Sequence, residues 1–191
     1  MVTVSFTQPI WSQLVFAAVE QRDAAGRARA KLAAIGTEPG WWVEAQAEMR
    51  AAMLSIGAAA FSVEGWGFAS MQRTPGDRYT LGPKRLKDEV FTPHYQVPQP
   101  QLDALDEAIT QLFVNRGDLV HHKSPNRSGK VHPILGNTPH ETVQFSYEES
   151  VQACETLRLM VRACIDYPNA GNPPAQAAID HSVVVARELG W

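Results

Sequence analysis

Apolar side chains recur every three or four residues along one stretch of the chain, which predicts an amphipathic helix over about Gln101 to His122. The members of this stripe are Leu102, Leu105, Ile109, Leu112, Leu119 and Val120. Arg116 falls in the same rhythm between Leu112 and Leu119. An arginine on a core-facing stripe must be paired or must line a cavity, because an unpaired buried charge is costly.

Helical spacing and capping residues predict further helices on both sides of this one. One helix is expected over about 10–35 and a second from about Trp41, with small side chains through 51–60 that allow a close helix–helix seam within the chain or across a dimer. Ser146 with Glu149 forms a capping-box pattern that starts a later helix. Asn172 with Pro173 is expected to start the last helix, which ends at Gly190.

The segment from about 72 to 100 is rich in proline and glycine, which predicts a long irregular region in contact with the bundle. No strand-like alternation of useful length occurs elsewhere. The sequence therefore predicts an all-α, up-and-down bundle of about five helices that forms a single domain over 1–191.

Composition places the chain among ordinary globular proteins. Its 191 residues are 45% hydrophobic, and the formal net charge is −3, so the chain lacks the overall basic signature of many nucleic-acid-binding domains. Cys154 and Cys164 lie ten residues apart on one predicted helix, about 15 Å, which is too far for a disulfide. With no signal-peptide pattern in residues 1–9 and no membrane-spanning apolar run, the expected location is the cytoplasm, without membrane association.

Positive charge is concentrated after the motif helix. Between 116 and 130 the cationic side chains are Arg116, Lys123, Arg127 and Lys130, against the single acid Asp118, which gives this segment a net charge of +3. His121 and His122 lie in the same segment, and histidine changes charge near neutral pH. These residues predict a surface that attracts phosphate, with Lys123, Arg127 and Lys130 as the phosphate-binding set. A solvated loop without specific function is the alternative interpretation.

The stretch from Leu112 to His122, with the sequence LFVNRGDLVHH, resembles the arginine-x4-6-histidine signature of HEPN domains. Those domains are helical bundles found in toxins, defence systems and RNA-processing proteins. The resemblance implies a metal-independent endoribonuclease without cofactor, in which Arg116 and His121 are catalytic. Asn115, Asp118 and His122 would support the site, with His122 as the alternative histidine. It also implies an RNA substrate, a homodimer and an antitoxin or operon partner.

Helical geometry bears on how such a site could form. Five residues at about 100° each place His121 roughly 140° around the helix from Arg116, so the two would not share a face of a straight helix. Either the helix loosens at Gly117, a poor helix former, or a second chain completes the site.

Two other functions are compatible with the sequence. The first is an inactive HEPN-like module that binds RNA or protein, because Gly117 stands where catalytic members often have a polar residue and Arg116 could form a structural ion pair. The second is a metal-binding bundle, since five of the six histidines lie within a short region: His94, His121, His122, His132 and His140. Their spacing places no ligand pair on one helix face, so no metal site is predicted.

Overall fold

A computed structural model describes residues 10–71, 81–121, 132–136 and 145–191, with the side chain of His121 excluded. These residues form five long helices: α1 (Ile10–Ile35), α2 (Trp41–Ser70), α5 (Gln99–His121), α6 (Tyr147–Asp166) and α7 (Gln176–Leu189). Between α2 and α5 lie a short helix α3 (Pro83–Arg85), a π-helical segment (Leu86–Phe91) and a short helix α4 (Thr92–His94). No strand occurs within the described ranges, where Tyr95–Pro168 and His132–Gly136 are isolated bridges. The predicted all-α bundle is confirmed.

Helix α2 is the centre of the bundle and contacts α1, α5, α6 and α7. Its small residues explain the close packing against α1, since a Cβ on Gly65 would lie 3.0 Å from the Cβ of Trp11. Ser55 and Ser62 donate hydrogen bonds to the carbonyls of Ala18 and Trp11 across this seam. The small-residue stretch therefore forms a helix–helix seam within the chain.

The apolar length of α2 is likewise explained by packing within the chain. Among the described helices, α2 alone is long and apolar enough to cross a membrane by length and composition, but 61% of that apolar window is buried inside the protein. Val63 and Trp66 are fully buried there, and the Trp66 ring stacks on Tyr95 at 5.4 Å between centroids. The apolar character of α2 is accounted for by core packing.

The prediction of an irregular segment at 72–100 is wrong for residues 83–94, which are helical. Pro83 stands in the first turn of α3, where proline loses no helical hydrogen bond, and Pro93 lies in α4, which continues directly from the π-helical segment. Leu81, Leu86 and Val90 are buried against α2, and a Cβ on Gly67 would meet Leu86 at 2.7 Å. Pro83 thus begins a helix here, while Gly67 lets the segment approach α2.

The ends of the later helices differ in part from prediction. Ser146 is the N-cap of α6, as expected, but its side chain makes no capping hydrogen bond, and the Tyr147 N–H donates to Glu48 instead. Helix α7 begins at Gln176 after the N-cap Ala175, so Asn172 and Pro173 do not start it. Gly190 ends α7, as predicted, and adopts a left-handed conformation.

Candidate functional site

The motif helix α5 stays regular through Gly117 as far as His121. A Cβ on Gly117 would meet no other atom within 4 Å, so this glycine neither breaks the helix nor admits a close neighbour. Of the two alternatives that the sequence left open, loosening of the helix at Gly117 is therefore wrong. His121 remains five helical residues from Arg116, about 140° around the axis.

The buried stripe of α5 continues into Asn115 and not into Arg116. Leu105, Ile109 and Leu112 are buried as predicted, and the next position of the stripe is taken by Asn115, which is 7% exposed. The Arg116 side chain is 25% exposed and lies at the edge of the interface with α2. The sequence pattern could not decide which of the two is buried, because residues three and four positions after Leu112 both lie on its face of the helix.

Arg116 is paired with Glu64 of α2, which is one of the two alternatives that the sequence left open. Its Nη1 atom lies 3.5 Å from Glu64 Oε2, a long contact for a charged pair. The other Glu64 oxygen, Oε1, accepts a hydrogen bond from the Leu81 N–H at 3.1 Å. The guanidinium also lies over the ring of Phe61, 4.4 Å from its centroid, and 5.7 Å from that of Phe113. Rings and carboxylate together fix the cation at the surface of the bundle.

An open cavity of about 290 Å³ surrounds this arginine. Its lining comes from α2, from α5 and from the start of the segment after residue 80: Glu64, Leu81, Gly82, Phe113, Arg116, Gly117 and Val120. Phe61 and Val120 are 48% and 55% exposed beside it. The cavity thus offers a cation with an apolar rim, which suits an anionic group carried by a larger molecule.

A second cavity, of about 280 Å³, lies on the next face of α5, against α6. Its lining combines polar side chains with the apolar Ala108, Leu112 and Ala153. Asn115 Nδ2 donates to Glu149 Oε2 at 3.0 Å, and Gln111 Nε2 donates to Asn115 Oδ1 at 2.9 Å. Gln152 and Thr156 line the α6 side. Asn115, predicted as a supporting residue, therefore belongs to this groove and faces away from Glu64.

A larger ionic cluster lies between α1, α2 and α6. Arg29 donates to both oxygens of Glu48, at 2.8 and 2.5 Å, and to both oxygens of Glu148, at 2.5 and 2.8 Å. Glu48 is 1% exposed, so this arginine compensates a fully buried carboxylate. Burial alone would lower the pKa of Arg29, but the hydrogen bonds to the two glutamates outweigh it and the pKa is raised.

His132 joins this cluster from the turn at 132–136. Its Nδ1 atom accepts hydrogen bonds from the N–H groups of Ile134 and Leu135, at 3.2 and 3.1 Å. Its Nε2 atom lies 3.7 Å from Glu48 Oε2 and 3.5 Å from Arg29 Nη2. Burial and the Arg29 charge lower the pKa of His132, against the opposing effect of the two glutamates. The ring is therefore a neutral structural group that anchors the turn.

The remaining predicted site residues are only partly placed. Asp118 is partly exposed on α5, and the backbone of His121 ends that helix. His122 and the predicted phosphate-binding residues Lys123, Arg127 and Lys130 lie outside the described residues, as does His140.

The described part of the chain contains no group of three or more histidine, cysteine, aspartate or glutamate side chains that could hold a metal. His132 is committed to backbone hydrogen bonds, and His94 lies in α4, next to the isolated bridge at Tyr95. Cys154 and Cys164 are both buried and free, and burial raises the pKa of each thiol. The prediction that the two cysteines form no disulfide with each other is confirmed.

Sequence reasoning missed Glu64, although the sequence carried a signal for it. Glu64 is the only charged residue between Ala51 and Ser70, and the other residues of this stretch predict a helix in the core. A single carboxylate in such a stretch needs a buried cation or donor. The cluster of Arg29, Glu48, Glu148 and His132 carried no comparable signal, because its members come from four distant parts of the chain.

Comparisons with known proteins found no match to the chain among protein-family models, curated proteins or solved structures.

Proposed function

We propose that the protein is a metal-independent endoribonuclease of the HEPN type, cytoplasmic and related to toxin or defence systems. The observation that carries the proposal is the state of Arg116. It lies in an open cavity, one quarter exposed, and the one carboxylate that it contacts among the described residues is 3.5 Å away. A guanidinium in that state can bind a phosphate by its planar fork without first breaking a tight ion pair.

The regular path of α5 supports a homodimer with a composite site. Because the helix does not loosen at Gly117, Arg116 and His121 of one chain stay on different faces. A twofold axis near the exposed edge of α5 would bring Arg116 of one chain towards His121 of the other. The apolar side chains around Arg116 suit such an interface: on α2, Leu54 and Phe61 are 60% and 48% exposed, and Val120 of α5 is 55% exposed.

The chemistry would follow from these two groups. The 2′-oxygen of RNA forms a bond to the adjacent phosphorus, and the bond from phosphorus to the 5′-oxygen of the next nucleotide breaks. One histidine takes the proton from the 2′-hydroxyl, and an imidazolium gives a proton to the leaving oxygen. Arg116 stabilises the charge that develops on the phosphate oxygens. The products carry a 2′,3′-cyclic phosphate and a 5′-hydroxyl, and DNA, which lacks the nucleophile, is not cleaved.

Subunit complementation tests the activity and the composite site together. Arg116→Ala and His121→Ala are each expected to be inactive as homodimers on mixed RNA in chelator. After the two variants are mixed and allowed to exchange subunits, half of the dimers are mixed and each has one intact site. About a quarter of wild-type activity should return. A site formed within one chain would give no recovery on mixing.

Substitution of each of the two adjacent histidines tests whether His121 or His122 is catalytic. His121→Ala should reduce turnover about 100-fold or more, because it removes a proton-transfer group. His122→Ala is the matched control, and the reverse outcome would move the catalytic role to His122. If the wild-type protein cleaves no RNA in chelator, the endoribonuclease proposal fails.

The Arg116–Glu64 contact favours one other candidate function, an inactive module that binds RNA or protein. In that case Glu64 would hold Arg116 as a structural cation, and RNA or an antitoxin-like partner would bind without turnover. Glu64→Gln separates the two candidates. It should preserve or raise RNA cleavage if the arginine acts on phosphate, whereas in the inactive module it can only change binding.

A further inference from the structure

A third cavity, of about 290 Å³, lies between the first half of α5 and the second half of α6. On α5 it is lined by Gln101, Ala104 and Leu105, which share a helix face. On α6 the lining residues recur at similar spacing: Arg158, Leu159, Arg162, Ala163 and Asp166. Gln101 and Arg116 are roughly 22 Å apart along α5, at about 1.5 Å per residue, so this cavity is separate from the candidate active site.

The apolar part of the lining is ordered. Leu105 and Ala163 are buried, and Val97 is partly buried against the core. The Gln96 N–H donates to the Tyr167 carbonyl at 2.7 Å, which joins the segment before α5 to the segment after α6. Val97 and Tyr167, which line the cavity, are thus held in place by the backbone, and such a wall limits the entropy lost when a ligand binds.

Two guanidinium groups lie on the α6 side of the cavity. Arg158 and Arg162 are four residues apart, so they lie on one helix face about 6 Å apart along the axis, and each side chain is 42% exposed. Among the described residues, Arg158 donates from Nε and Nη2 to Glu155, and Arg162 donates only from Nη2, to Asp166 at 2.9 Å. A guanidinium has five donors, so Nη1 of both arginines and Nε of Arg162 can donate to a ligand.

The carboxylates beside these arginines are compatible with ligand binding. Glu155 and Asp166 belong to the same helix as the arginines and form solvent-accessible pairs with them. Pairs of this kind contribute little to stability, so a guanidinium can turn from them to a ligand at small cost. Asp166 also lines the cavity, and its charge repels a phosphate monoester, a dianion, more strongly than a monoanion.

We propose that this cavity binds a small organic monocarboxylate whose charged end lies between Arg158 and Arg162. The apolar body of the ligand, aromatic or short aliphatic, lies on Leu105 and Ala163. Two cations beside an apolar wall suit a ligand with one charged end and one apolar end. The cavity volume of about 290 Å³ is just below the range of pockets for drug-sized ligands, which begins at about 300 Å³, so the ligand is a small one. This inference does not depend on the proposed ribonuclease function.

The test is titration of the ¹⁵N-labelled full chain with phenylacetate and hexanoate. The Nε–H signals of Arg158 and Arg162 and the side-chain amide signal of Gln101 report on the cavity. An acid that fits should shift them and bind at least about tenfold more tightly than its neutral amide, which lacks the charge-assisted hydrogen bonds. Acetate, which lacks the apolar body, should also bind at least about tenfold more weakly.

Three outcomes of this titration would overturn the proposal. The first is that neither acid moves these signals. The second is equal affinity for acid and amide, which would leave the arginines without a role. The third is tighter binding of phenyl phosphate than of phenylacetate, which would contradict the preference for a monoanion.

Charge-removing variants test the role of the arginines. Arg162→Gln should weaken binding of the acid about tenfold or more and leave binding of the amide unchanged, because only the charge-assisted contact is lost. Arg187→Gln is the matched control, since Arg187 forms an exposed pair with Glu188 on α7, outside the cavity. Full binding by Arg162→Gln, or an equal loss in both variants, would contradict the inference.

Ala104→Leu tests the cavity without a change of charge. Ala104 is exposed on α5 and lines the cavity, and leucine is a good helix former, so the variant should fold while its side chain fills the space of the ligand. Binding of the acid should fall about tenfold or more, because its apolar body can no longer be buried. Unchanged binding in a folded Ala104→Leu protein would place the ligand elsewhere and refute the site.

A peptide whose carboxyl terminus follows an aromatic residue carries the same chemistry as phenylacetate. N-acetylglycylphenylalanine distinguishes the two sources, and it should bind more weakly than phenylacetate because the small cavity cannot also take the peptide backbone. Tighter binding of this peptide would assign the cavity to a protein partner and overturn the assignment to a free acid.

Discussion

Arg29 and Arg116 show how an arginine can stabilise the fold in one region and be placed to bind a ligand in another. Arg29 is 12% exposed and donates four hydrogen bonds of 2.5–2.8 Å to two glutamates. Arg116 is 25% exposed, and within the described residues its one carboxylate contact is 3.5 Å long. A guanidinium has five donors. Those of Arg29 are largely used within the fold, whereas among the described residues Arg116 contacts a single carboxylate oxygen.

The two carboxylates beside these arginines differ in the same way. Glu48 is fully buried and accepts from Arg29 and from the Tyr147 N–H, so it links α1, α2 and α6. Glu64 divides its oxygens between a backbone N–H and Arg116 and borders an open cavity. One ion pair therefore holds helices together, and the other holds a cation at a surface.

The largest expected effect is on stability, at the Arg29 cluster. Glu48→Ala leaves Arg29 partly buried without its main partner and removes the acceptor of the Tyr147 N–H. The unfolding free energy should fall by about 3–5 kcal/mol in urea denaturation. The matched control is Glu155→Ala, which breaks an exposed pair and should cost less than about 1 kcal/mol. Similar losses in both variants would mean that the buried cluster has no special role.

The next effect is on activity, at Arg116. Arg116→Ala should reduce RNA cleavage about 100- to 1,000-fold, the usual cost of removing one group that stabilises a phosphate or oxyanion. Its unfolding free energy should change by about 1 kcal/mol, since the side chain is partly exposed and its carboxylate contact is long. Arg116→Lys keeps the charge but loses the fork, and should remain well below wild type. A stability loss as large as that of Glu48→Ala would make Arg116 structural.

The sequence predicted the bundle because helical spacing is a local property. The stripe of Leu105, Ile109 and Leu112 located the motif helix within two residues of its observed ends, Gln99–His121. The helical turns after Pro83 were not predicted, because a proline that begins a helix has the same sequence signature as one that ends it. Whether a proline begins or ends a helix was decided here by the buried contacts of Leu86 and Val90 with α2.

For the candidate site, the sequence located Arg116 but not its surroundings. The pattern required a partner or a cavity, and the structure shows both, yet Glu64 lies 52 residues away and no local rule connects them. The same holds for Glu149, which is 34 residues from Asn115. Contacts between helices depend on how the helices cross, and the periodicity of one helix does not determine this.

The smallest expected effect is on the pH dependence of the unfolding free energy. It is expected at the Arg29 cluster, which contains His132, and not at Arg116. Burial and the Arg29 charge hold the pKa of His132 below its ordinary value of 6.5. Protonation would also place a hydrogen on Nδ1, which now accepts from the N–H groups of Ile134 and Leu135. Between the folded pKa and about pH 6.5 the unfolded chain binds more protons. The unfolding free energy should therefore fall as the pH drops through that window.

The opposing groups are Glu48 from α2 and Glu148 from α6, whose carboxylates favour the charged ring. Burial alone would raise the pKa of Glu148, but its hydrogen bond from Arg29 outweighs this and the pKa is lowered. A further loss of stability is thus expected only below about pH 4.5. His132→Gln should be less stable at pH 7.5 and should lack the loss that begins below about pH 6.5 in urea titrations. If the wild type and this variant have parallel pH profiles, His132 is not the titrating group, and the neutral anchoring of the turn at 132–136 is refuted.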